Sequence, residues 1–74
     1  MSTQNELLAR LDEKYPKLSK GQRRLTDYIR QNYDKAAFLT AAKMGEAVGV
    51  SESTVVRFAT QLGYKGYPEF QKAL

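Results

Sequence analysis

The stretch AAKMGEAVGVSESTVVRFATQL, residues 41–62, decides how this chain folds. Thr40, just ahead of it, is a residue type that caps helix N-termini. A short helix from Ala41 to about Val48 follows, with Ala42, Met44, Ala47 and Val48 as its apolar positions. Gly49 ends that helix, because glycine takes up positive φ at little steric cost. Val50, an apolar residue in a tight turn, has to face the space between the helices. Ser51 offers a hydroxyl to the unpaired N–H groups that open a second helix, Glu52 to about Leu62. Within it Val55, Phe58, Ala59 and Leu62 recur at i, i+3, i+4 and i+7, which makes one buried stripe. Two helices joined steeply through a short glycine turn form a helix-turn-helix.

The opposite stripe of the second helix carries Ser53, Thr54, Arg57 and Gln61. Short hydroxyls come first, then a forked donor one turn on, then an amide. A recognition helix needs that order, because its N-terminal residues meet base edges in the major groove. Arg57 can pair bidentately with a guanine, and a serine or threonine can meet bases or phosphates. Glu52 in the first turn offsets the helix dipole, a simpler role than accepting from a cytosine amino group. A polar face with one arginine is also what an ordinary surface helix shows. From Ala41 onward Lys43, Arg57, Lys65 and Lys72 stand against Glu46, Glu52 and Glu69, a small basic excess.

Helical spacing extends to both sides. Upstream, Leu7, Leu8, Leu11 and Tyr15 share one face of a first helix, with Ser2, Thr3 or Asn5 to cap it and Pro16 to close it. Ser19 caps a second helix carrying Leu25, Tyr28, Ile29 and Tyr33, with Leu18 as an apolar staple. Asn32 and Asp34 loosen its end; Asp34 can cap a short turn, and Phe38 and Leu39 read as core anchors. Downstream, Gly63 suits a left-handed helix end with Tyr64 as its apolar contact. Pro68 then opens a final helix running to Leu74. That helix stops soon after it begins, which leads us to expect an N-terminal piece of a longer protein. The expected fold is all-α, a homeodomain-like bundle of about five helices forming one domain over residues 1–74.

Composition narrows the function. The 74 residues include 12 Lys plus Arg, 8 Asp plus Glu, no His and no Cys, for a net charge of +4. Imidazole bases, thiolate nucleophiles and the usual zinc sites are therefore ruled out, and neither cofactor nor metal is expected. No acid, base and nucleophile can be named together, so the chain does not read as an enzyme. The start lacks a basic segment followed by an apolar run, and nothing approaches a membrane span, so a cytoplasmic location is expected. Lys17, Lys20, Arg23, Arg24 and Arg30 cluster around one helix. Either they hold phosphates beside a duplex or they form a solvated face. An alternative to DNA binding is a helical interaction module that dimerises through the first helix, whose leucines exceed what a modest core requires.

Two blocks add a resemblance. The run from Gly49 to Phe58 (GVSESTVVRF) and the run from Leu62 to Phe70 (LGYKGYPEF) resemble the N-terminal domain of RpiR-type bacterial transcriptional regulators. Leu18-Ser19, Arg24-Leu25 and Tyr28-Ile29 also stand where that family's second helix places them, so the resemblance covers roughly residues 18–74. Lys43 and Gly45 depart from the regular Ile/Leu- and Ala-rich third helix of the family, and a glycine inside a helix lowers its stability. The resemblance implies a regulator of carbohydrate metabolism, dimeric or tetrameric on an operator. A C-terminal sugar isomerase (SIS) domain outside this chain would bind a sugar-phosphate effector. It maps Ser51, Ser53, Thr54 and Arg57 to the recognition helix, and Tyr64 and Lys65 to the loop after it, where Tyr64 serves either as a cap contact or as a phosphate contact. The expected DNA-binding residues are thus Ser51, Ser53, Thr54, Arg57, Gln61 and Lys65, with Lys20, Arg23, Arg24 and Lys43 as phosphate contacts.

Overall fold

A computed structural model describes residues 3–74. Among them six α-helices follow one another: α1 (Thr3–Lys14), α2 (Lys20–Gln31), α3 (Tyr33–Ala36), α4 (Ala41–Val48), α5 (Glu52–Gln61) and α6 (Tyr67–Ala73). A 3-10 turn, Tyr15–Lys17, links α1 to α2. Of the candidate caps for α1, Ser2 lies outside the described residues, and Thr3 and Asn5 already fall within the helical range. Pro16 ends the α-helix as expected, but the chain carries on through the 3-10 turn before extending at Leu18.

The starts of three helices follow from short polar side chains. Ser19 accepts from the Gln22 backbone N–H at 3.3 Å while Gln22 Oε1 accepts from the Ser19 N–H at 3.0 Å, a reciprocal capping box. Thr40 accepts from the Lys43 N–H at 3.1 Å, and Ser51 from the Thr54 N–H at 3.2 Å. Each hydroxyl satisfies a donor that its helix leaves without a partner.

The core is one cluster. Leu7 and Leu11 from α1, Leu25 and Ile29 from α2, Met44 from α4, Val55 and Phe58 from α5 and Phe70 from α6 are all fully buried. Helix α5 runs through the middle, packed on α4, α2 and α6 at once, while α6 reaches back to α1. Because α1 sinks Leu7 and Leu11 into this core and leaves Leu8 only half-buried, its leucines do not form a free partner surface.

The expected all-α bundle of about five helices is borne out with six, because Asn32, at φ −133° and ψ 46°, breaks α2 before α3 begins. Two expectations need correction. Phe38 is not a core anchor: it is 87% exposed, and the buried residue of that segment is Ala36. Backbone bonds from Phe38 N–H to Lys35 O and from Leu39 N–H to Ala36 O turn the chain there, so Phe38 points outward. What holds the segment is the Leu39 carbonyl, which accepts from the Tyr67 hydroxyl and from Gln71 Nε2. In α4 the buried residues are Ala41, Met44 and Gly45, whereas Ala42 and Ala47 are exposed. A short helix fills only one stripe, and 41, 44 and 45 share it at helical spacing.

The buried Tyr67 phenol makes a prediction about alkaline stability. Burial pushes its pKa from the ordinary 10.0 up to about 12, and burial also raises Tyr33 and Tyr64. The folded state thus holds these protons more tightly than the unfolded state. The stability they support is complete below pH about 10 and drains away as pH climbs toward about 12. Thermal melts across this range should fall steeply for the wild type and less for Tyr67→Phe. Parallel declines would show that Tyr67 is not the group responsible.

Candidate nucleic-acid interface

The turn between α4 and α5 is built around two glycines. Gly49, at φ 86°, directs its own N–H and that of Val50 to the Gly45 carbonyl at 2.7 and 2.9 Å, which closes α4 abruptly. Gly45 is itself buried where the backbones cross, and a Cβ on it would stand 2.6 Å from the Val50 carbonyl oxygen. The glycine that helix propensity disfavours is therefore what lets α4 and the turn approach. Val50 lies half-buried on α2, its Cγ1 beside Gly21, and so fills the seam with α2.

This turn fixes the rotation of α5. Val55, Phe58 and Ala59 are fully buried and Leu62 nearly so, while Ser53, Arg57 and Gln61 are exposed. Thr54 is half-buried, and its hydroxyl lies 2.9 Å from that of Ser51. These two hydroxyls are thus partly spent on the helix start, and Ser53 is the freer of the N-terminal ones. Arg57 forms no ion pair among the described residues. It stands between two shallow depressions, one lined with Glu52, Ser53 and Val56 and the other with Thr54, Gln61 and the start of α2. The N-terminal turn of α2, with Ser19, therefore flanks the outward face of α5.

The basic residues divide by what they touch. Arg23 donates to the Tyr15 and Pro16 carbonyls at 3.2 and 3.0 Å and lies over the Tyr15 ring. Arg24 donates to the Val48 carbonyl at 3.0 Å, which fastens the end of α4 to α2. Arg30 is paired with Asp12. A guanidinium has five N–H donors, so each of these arginines keeps donors beyond those it uses. Lys43 pairs with Glu46 at 3.4 Å on the surface, a contact that solvent weakens. Lys17, Lys20 and Lys65 are exposed, and their ammonium groups form no ion pair among the described residues. The Lys65 backbone N–H donates to the Glu69 carboxylate, which shapes the loop before α6.

Two contributors have no local signal in the sequence. Arg10 donates to the Leu62 carbonyl at 3.1 Å, stacks 4.5 Å over the Tyr64 ring and pairs with Glu6, so α1 holds the C-terminal end of α5. That end is a Schellman turn: Gly63, at φ 97°, donates to the Thr60 carbonyl and Tyr64 to the Ala59 carbonyl. Of the two roles open to Tyr64, its placement favours the cap contact, because its ring stacks edge-on to Phe70 and its hydroxyl is buried. The second contributor is Val56, a large apolar side chain 38% exposed beside Arg57.

Among the described residues, no group of three or more acidic residues could hold a metal ion, and no helix is long and apolar enough to cross a membrane. Comparison with known proteins agrees with the geometry. The pattern of the helix-turn-helix domain, rpiR family, matches residues 5–74. The chain is 39% identical over 67 residues to the uncharacterized HTH-type transcriptional regulator YfhH of Escherichia coli, covering 90% of this chain and 24% of that protein. It is 35% identical over 65 residues to the HTH-type transcriptional regulator HexR of Pseudomonas aeruginosa, covering 88% of this chain and 23% of that protein. The chain thus spans about a quarter of the length of these relatives. No solved structure matches it.

Proposed function

The chain belongs to the rpiR family of helix-turn-helix domains, and on that footing we propose that it is the operator-reading domain of a bacterial transcriptional regulator, with α5 in the major groove. One observation carries this reading: α5 buries its apolar stripe completely while Ser53, Arg57 and Gln61 face outward from a helix whose N-terminal end is exposed. Ser51 and Thr54 sit at that end, where hydroxyls and helix N–H groups meet the backbone. Lys20 and Lys65 supply phosphate contacts from the two flanks. Lys43, Arg23 and Arg24 join them through whatever donors their intramolecular bonds leave over.

The larger protein this chain would serve regulates carbohydrate metabolism in the cytoplasm. There a C-terminal sugar isomerase domain binds a sugar phosphate, and a dimer or tetramer presents two copies of α5 to an operator. The names of the relatives, transcriptional regulators rather than enzymes, support a non-enzymatic role. Residues 1–74 then bind DNA without responding to the metabolite.

Arg57→Ala is the direct test. A bidentate arginine–guanine contact contributes about 1–3 kcal/mol of discrimination, so affinity for a selected duplex should fall roughly 5- to 150-fold with base preference relaxed at one position. The melting temperature should hold, because Arg57 is exposed. Unchanged anisotropy titrations on that duplex would remove Arg57 from the interface.

A further inference from the structure

We propose that Val56 packs against the 5-methyl group of a thymine, next to the base pair that Arg57 meets, and so sets a second element of base preference. The inference rests on the DNA-binding reading above and goes beyond it by assigning an apolar contact. Among the described residues two large apolar side chains are well exposed, Phe38 and Val56, and Val56 lies on the outward side of α5. Glu52 and Ser53 stand one turn before it and Arg57 beside it, around the same shallow depression. Valine is an inferior choice for an exposed helix position, since its branched Cβ restricts χ1 and lowers helix propensity relative to alanine. The same stiffness suits recognition: two methyl groups are presented in one rotamer, with little freedom left to lose on docking. In the major groove the apolar group that distinguishes one base pair from the others is the thymine methyl. Ser53 and Arg57 bring hydrogen-bonding groups to that surface, and Val56 brings the hydrocarbon beside them.

The test begins with selection of duplexes from a random library by the 74-residue chain. In the selected duplex each thymine is then replaced singly by deoxyuridine, which lacks only the methyl. At one position the wild type should lose about fourfold in affinity, the equivalent of burying one methyl, ~0.8 kcal/mol. Val56→Ala should bind the thymine and uracil duplexes equally there while keeping the guanine preference that Arg57 provides. Its circular dichroism should match the wild type, because Val56 lies outside the core. Equal wild-type affinity for every uracil duplex overturns the Val56 contact and leaves DNA binding standing. Discrimination that persists in Val56→Ala overturns it too. Tighter binding of a duplex with 5-methylcytosine at that position would overturn thymine as the source of the methyl. If no duplex is enriched, the DNA-binding reading fails together with the contact.

Discussion

Phe70→Ala is expected to destabilise the domain by about 3–5 kcal/mol, the range for emptying a buried aromatic site. Phe70 is fully buried, and three rings converge on it: Phe58 at 5.8 Å, Tyr64 at 5.8 Å and Tyr67 at 5.6 Å between centroids. Edge-on and tilted aromatic pairs of this kind add to the area buried. A domain of 74 residues has a total stability of roughly 4–11 kcal/mol, so a loss of this size brings the chain to the edge of unfolding at ambient temperature. The consequence for function is specific. Phe70 on α6 backs both Phe58 of α5 and Tyr64 in the turn that ends α5, so its loss frees the interface helix at two points. A thermal melt should show a drop of at least ~12 °C. A drop below about 5 °C would mean that the aromatic cluster is not the hub that it looks like.

Gly45→Val should cost about 3 kcal/mol, at the upper end for overpacking. Intrinsic propensity alone predicts a change of the opposite sign, since glycine is among the poorest residues inside a helix. The geometry wins because the added Cβ would lie 2.6 Å from the Val50 carbonyl oxygen, and that oxygen belongs to backbone, which cannot step aside as a flexible side chain could. Relief requires α4 to move away from the turn, which would rotate α5 and shift the outward residues relative to the groove. Both stability and DNA affinity should therefore fall, to be read by urea unfolding and by anisotropy titration of the same sample. A variant as stable as the wild type would show that the crossing is looser than its contacts indicate. Gly21 illustrates the contrast: a Cβ there would meet Val50 Cγ1 at 3.2 Å, a longer approach and to a side-chain methyl rather than to backbone.

Much of this architecture was legible from residue order. Ser19, Thr40 and Ser51 cap the helices they precede, and Gly49 and Gly63 take the left-handed conformation at the ends of α4 and α5. The buried stripe of α5 also follows the spacing. These features are local: a hydroxyl reaches a donor three residues on, and a positive φ belongs to a single residue. Local energetics suffices to decide them. Phe38 misled because its apolarity says nothing of direction, and a two-bond backbone turn after α3 sets that direction. Gly45 misled for a related reason, since propensity measures an isolated helix and the gain here comes from a second backbone.

Residue order by itself determined five of the six helices, the caps of α2, α4 and α5 and which side of α5 is apolar, because each depends on neighbours within a turn or two. Tertiary packing alone decided that Arg10, 52 residues away, would hold the Leu62 carbonyl, and that Arg24 would take the Val48 carbonyl. Such contacts join segments distant in sequence, and their partners exist only once the helices have crossed at a definite angle.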